Sequence, residues 1–210
     1  MGLISAGTTI FDAGSVNAGG AMTFIKKITA SSSSTISFVH GSSSVVFDGT
    51  YKQYLFTFNN LHPAANACDF LFQFSINGGS SYGVSMTSTY GQSQHYENGS
   101  NAALNYRSGS INALGNSTNF QSLSTADGIG DDNDQCLSGT LTVFNPASTT
   151  FVKHWMADCA HYSNDNGALR SLVSGYVNTT SAVNAIQFKM NNGGSDQNTD
   201  SGDICLYGIS

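Results

Sequence analysis

From residue 22 onward the apolar residues of this chain recur in short runs with a period of two, and clusters of Gly, Ser, Asn and Asp separate the runs. Alternation of that kind puts one set of side chains on each face of an extended strand, and regular turn clusters between strands are the mark of a sandwich or barrel. FLFQFSI (70–76) is the clearest case, with Phe70, Phe72, Phe74 and Ile76 on one side. YKQYLFTF (51–58) sends Tyr51, Gln53, Leu55 and Thr57 one way and Lys52, Tyr54, Phe56 and Phe58 the other. The same reading predicts strands over 22–29, 35–39, 45–47, 83–90, 102–106, 139–144, 150–162, 171–177, 185–190 and 203–209. Asp48-Gly49 and Asn77-Gly78-Gly79 are turns, residues 59–68 with His62-Pro63 form a loop, and both prolines fall outside the strands.

Two stretches lack this pattern. Residues 1–21 are rich in Gly, Ala, Ser and Thr around an isolated Ile10 and Phe11, with no period of 2 or 3.6. They read as an extended arm whose two apolar residues meet a protein surface rather than water. Residues 80–135 are the most polar part, with Tyr82, Tyr90, Tyr96 and Tyr106 set among Ser, Asn and Gly. No break in composition marks a boundary, so 22–210 is expected to be one antiparallel β-sandwich of jelly-roll type.

Composition sharpens the fold class. Ser (31), Thr (18), Asn (20) and Gly (23) make up 92 of the 210 residues, while charged residues are only 10% and Glu97 is the sole glutamate. Good surface helix formers are therefore scarce and an all-β fold follows. With 13 Phe and 9 Tyr, the chain still has the apolar content that disordered Ser/Asn-rich chains lack. The net charge is −6 and the seven basic residues are scattered, which argues against a nucleic-acid surface. No apolar run is long enough for a membrane helix. No basic residue precedes Lys26, so a secretory leader is not expected and cytoplasmic synthesis is.

Candidate chemistry is sparse. Cys68, Cys136, Cys159 and Cys205 form no C-x-x-C pair and are expected to be free thiols. The acidic run Asp127, Asp131, Asp132, Asp134 lacks the spacing of a calcium loop and reads as a solvated turn. His40, His62, His95, His154 and His161 form no metal motif, and in a strand His154 and His161 face opposite sides. Glu97 with Asp69 or Asp158 is the only carboxylate pairing to consider for glycoside hydrolysis, and nothing in the sequence brings them together. No catalytic residue, cofactor or metal is expected. The Tyr-rich middle is the better prospect, since tyrosine rings stack on sugar faces and are also enriched at protein interfaces. Tyr90, His95, Tyr96 and Tyr106 are the candidate glycan or partner contacts there, beside Ile10 and Phe11 in the arm.

Several phrases taken together resemble jelly-roll virion proteins of tailed bacteriophages. They are 28–38 (ITASSSSTISF), 48–58 (DGTYKQYLFTF), 60–63 (NLHP), 138–146 (SGTLTVFNP), 176–182 (YVNTTSA), 185–190 (AIQFKM) and 206–209 (LYGI). The resemblance runs from about residue 22 to the end and is carried by strands and turns rather than by a catalytic signature. It implies a non-enzymatic capsid decoration (cement) protein, or else a tail-fibre or adhesin head that binds host polysaccharide. It further implies a homotrimer assembled in the host cytoplasm and mounted on the virion against the major capsid protein or other virion proteins. A polysaccharide depolymerase is the weaker third expectation.

Overall fold

The computed structural model describes residues 3–5, 8–12, 15–16, 21–124 and 127–210, the first three of these stretches by backbone alone. Near the N-terminus lie β1 (Leu3–Ser5), β2 (Thr8–Asp12) and β3 (Ser15–Val16), which pair with one another as a small antiparallel sheet. So the segment read as an extended arm folds back on itself, with Phe11 opposite Leu3 and Val16. The side chains of Ile10 and Phe11 lie outside the described residues.

The body follows with β4 (Met22–Thr29), β5 (Ile36–Val39), β6 (Gln53–Pro63), β7 (Asp69–Ser75), β8 (Met86–Tyr96) and β9 (Ala103–Tyr106). Its second half holds β10 (Gln121–Ser122), β11 (Leu137–Phe144), β12 (Lys153–Tyr162) and β13 (Gly167–Val177). β14 (Ala185–Asn192), β15 (Ser195–Gln197) and β16 (Thr199–Ile209) complete it. Eight of these strands form one antiparallel sheet in the order β4-β16-β6-β11-β12-β13-β8-β9. A smaller sheet runs β10-β7-β14-β15, with β5 also paired to β14. The body from residue 22 onward is thus an all-β, two-sheet antiparallel sandwich. β11, β12 and β13 follow one another as hairpins within the larger sheet, a meander that the paired Greek keys of a jelly roll do not require.

Aromatic residues fill the space between the sheets. Phe188 of β14 touches five other rings, Phe38, Phe56, Phe58, Phe70 and Phe72, and is stacked on Phe70 at 5.6 Å. Phe72 meets Trp155 edge-on at 5.0 Å. Edge-to-face and offset pairs of this kind add about 0.5–1.5 kcal/mol each beyond the burial of their area.

The alternation in β6 is as expected, with Tyr54, Phe56 and Phe58 buried. Other details differ. β6 continues through Asn60, whose φ of 50° makes a bulge, as far as Pro63, so that proline ends a strand instead of sitting in a loop. Residues 45–47 are not a strand: Val45 and Phe47 are buried from a loop, pinned by the Phe47 N–H donating to His40 Nδ1 at 2.9 Å. β7 is buried on both faces, Leu71, Gln73 and Ser75 included, while Ile76 is exposed beyond its end. The cause is the segment after β9, which drapes over β7. Gln73 Nε2 donates to the carbonyls of Thr118 and Asn119 at 3.0 and 2.8 Å, and the Phe70 N–H donates to Ser124 Oγ at 2.7 Å. β8 and β13 run longer than their apolar alternation suggested because they pair with each other over eleven residues.

Candidate functional site

The smaller sheet is covered in part by that draped segment, whereas the outer face of the larger sheet carries a row of large exposed apolar side chains. The register lays this face out as cross-strand rows. One runs Phe24–Tyr207–Leu55–Thr142–Met156–Ser174–Thr89 from β4 to β8. The next runs Thr57–Thr140–Asp158–Leu172–Gly91–Tyr106 and ends on the edge strand β9. Leu104 is 84% exposed, Tyr106 66% and Met156 58%, with Met22, Phe24 and Leu172 at half or more. β12 and β13 make the face because their alternation places Trp155, Ala157, Leu169 and Val173 inside, and therefore Met156 and Leu172 outside.

The charges on the face are internally matched. Arg170 Nε and Nη2 donate to the two carboxylate oxygens of Asp158 at 2.8 and 2.6 Å, a bidentate pair that holds the Asp158 carboxyl below its usual range. Two shallow depressions mark the surface. One, of about 570 Å³, is ringed by Phe144, His154, Met156 and Tyr176 above Thr87, Thr89 and Ser174.

The other lies at the far end of β12, β13 and β8, where a row reads Tyr162–Ala168–His95. Small residues Ala160, Ala168, Ser93 and Ser138 floor it, and Tyr162, His95 and Arg170 rise around them. It adjoins a further hollow of about 450 Å³ that includes Glu97 and Tyr96. The Tyr162 hydroxyl donates to Glu97 Oε1 at 3.0 Å, and this bond, then desolvation and the charges of Glu97, Asp134 and Asp132, push the phenol up from its ordinary value. His161, on the inner parity of β12, lines both hollows. It is buried with neither ring nitrogen bonded to a protein group among the described residues, and loss of solvation pushes its imidazole down to about 4, against an opposing pull from Asp127.

The residues singled out from the sequence separate here. Tyr90 is fully buried with its hydroxyl against Ser171 Oγ, so it is a core residue rather than a contact. Tyr96 is 7% exposed and its hydroxyl donates to Asp127; burial first, then that carboxylate, pushes its phenol up to about 12. His95 and Tyr106 do reach the outer face, in different rows and on either side of β8's edge. Asp127, Asp131, Asp132 and Asp134 are exposed, and Glu97 lies with Tyr162 rather than with Asp69 or Asp158. Tyr162, Arg170, Met156 and Leu172 were missed, although the parity of β12 and β13 carried the signal: every second residue opposite a buried Trp or Val had to face outward.

No family model matches the chain, and neither the curated proteins nor the solved structures contain a match to it.

Proposed function

We propose that this chain is a non-enzymatic structural protein of a tailed-bacteriophage virion, a jelly-roll capsid decoration protein that acts as a homotrimer by burying surface against the head lattice. The observation that carries the reading is the uncovered apolar face of the eight-stranded sheet around Met156, Leu172, Tyr106 and Leu104. Contiguous exposed apolar patches mark interaction sites. Eight strands about 4.8 Å apart and roughly ten residues long offer on the order of 1,200 Å², more than the ~800 Å² per partner of a standard interface. The bidentate Asp158–Arg170 pair leaves no unmatched charge at its centre to oppose desolvation. The strand-and-turn phrases of the sequence support the same assignment.

The test is addition of purified chain to undecorated heads of the virus that encodes it, followed by sedimentation and by imaging of the particles. Saturating, high-copy binding that is lost in the double variant Met156→Asp, Leu172→Asp is the expected outcome. Binding unaffected by that variant, or a handful of copies confined to the tail, overturns it.

A further inference from the structure

Beyond β8 the edge of the larger sheet is closed along one part and open along another. At the start of β8 the N–H groups of Met86 and Ser88 donate to the carbonyls of Ser117 and Leu114 at 2.8 and 2.9 Å, so the segment after β9 completes the ladder there. Farther along, β9 covers β8 and is itself the last strand. The Arg107 N–H donates to the Tyr90 carbonyl at 3.0 Å, and this fixes the parity of the strand. Ala103 and Asn105 turn their backbone groups toward β8, whereas Leu104 and Tyr106 turn theirs away from it. Among the described residues nothing bonds to the backbone N–H and C=O groups of Leu104 and Tyr106.

An edge of this kind is a template for another strand, and folds commonly guard it with lysines, prolines or bulges. The opposite edge is guarded, since β4 carries Lys26 and Lys27 and shifts register against β16. β9 has no such device. Arg107 is the one charged residue between Glu97 and Asp127, and no proline interrupts that stretch. Its guanidinium acts on Asp69 and Tyr96.

The strand is also complementary to itself. With a second β9 laid antiparallel about a two-fold axis at Asn105, Leu104 stands opposite Tyr106 of the second copy, and symmetry repeats the pair. Each such pair exchanges both N–H···O bonds, so every outward backbone group of the strand finds a partner. A register shifted by two residues sets some of these groups against residues beyond the strand. The same pairing packs a side chain 84% exposed against one 66% exposed. It brings two Asn105 amides together and puts Arg107 opposite Ala103, so no like charges meet across the axis. Because the axis is perpendicular to the sheet, the outer faces of both copies lie on one side and their apolar bands join.

We propose that β9 is a self-association edge, pairing antiparallel with β9 of a second copy in the Leu104–Tyr106 register. The contact is isologous and closes at two copies, so it joins neighbouring trimers rather than building one, and it is independent of what the outer face binds. An edge of 4 residues buries far less than the ~1,200 Å² at the low end of stable interfaces. The free association is therefore weak, with a Kd on the order of 100 μM, and strengthens where copies are held side by side.

Sedimentation of the full chain over a concentration series up to about 1 mM is the first test. The dilute species is expected to double in mass. Leu104→Pro, which removes an outward N–H that β8 does not use, and Leu104→Lys are each expected to weaken the doubling tenfold or more. Melting temperatures show that both variants are folded. The second test fixes the register in a Cys136→Ser background, the other three thiols being buried. Asn105→Cys is expected to form an interchain disulfide on mild oxidation, because a non-hydrogen-bonded pair has its Cα atoms about 4.5 Å apart, within disulfide reach. Leu104→Cys and Tyr106→Cys, each offset from its own copy, are expected to crosslink far more slowly. Absence of doubling, doubling unchanged in both Leu104 variants, or equal crosslinking at all three positions overturns the proposal. The Met156→Asp, Leu172→Asp variant is expected to keep the doubling, so failure here and failure of the virion role are told apart.

Discussion

His161 and Asp69 are two titratable side chains that the sandwich buries at a cost, and they act in opposite directions. Burial lowers the His161 pKa from 6.5 to about 4, so the unfolded chain takes up a proton that the folded chain refuses. Stability on this account is full above pH 6.5 and is lost as pH falls toward 4, by on the order of 3 kcal/mol. Asp69 is raised from 3.8 to about 7 by burial, with Arg107 pulling the other way. Its protonated form is favoured in the fold, so its contribution is present below pH 3.8 and is lost as pH rises through 7. Urea unfolding between pH 4 and 8 checks both. His161→Leu is expected to flatten the acid limb, and Asp69→Asn to raise stability at pH 8 by a few kcal/mol while changing little at pH 4. Lys153 belongs with them: fully buried, its ammonium donates to the Thr179 carbonyl at 3.2 Å, and burial pushes its pKa down. Lys153→Met is expected to raise the melting temperature, since it removes a buried charge that lies against a carbonyl and, among the described residues, no carboxylate.

Among the elements, β14 is the centre of the core because Phe188 joins rings from both sheets. Phe188→Ala is expected to cost about 3–5 kcal/mol, measured by chemical denaturation. β13 depends on Gly175 for a different reason. A Cβ there would lie 2.5 Å from the Thr87 carbonyl oxygen and 2.7 Å from Trp155 Cζ2, so even Gly175→Ala forces the β8–β13 pairing or the indole to move. Loss of Trp155 fluorescence and a lowered melting temperature are the readout. The period of two made β6, β11 and β14 legible, since one of their faces is apolar and the other polar. It failed for 45–47, whose side chains are buried from a loop, and for the cover over β7, where Gln73 and Ser124 bind backbone instead of packing apolar surface.

For the whole molecule the consequences concern association. A chain with Leu104 and Tyr106 on the edge strand β9, Leu172 across Gly91 from Tyr106 and Met156 one strand further in has an unguarded apolar surface, whereas the opposite edge, β4, carries Lys26 and Lys27. The isolated chain is therefore expected to self-associate at high concentration, and Leu104→Lys to reduce this in sedimentation velocity without lowering the melting temperature. The all-β class, the aromatic core and the uncharged, hydroxyl-rich exterior were determined by the sequence alone, because composition and a period of two act locally, strand by strand. Which polar-looking strand faces outward beside which was decided only by tertiary structure. Tyr162, Ala168 and His95 lie on three strands, and only long-range hydrogen-bonded register brings them into one row. Tyr90 and Tyr96, equally tyrosine in the same polar stretch, have the opposite parity on β8 and are buried within the sandwich.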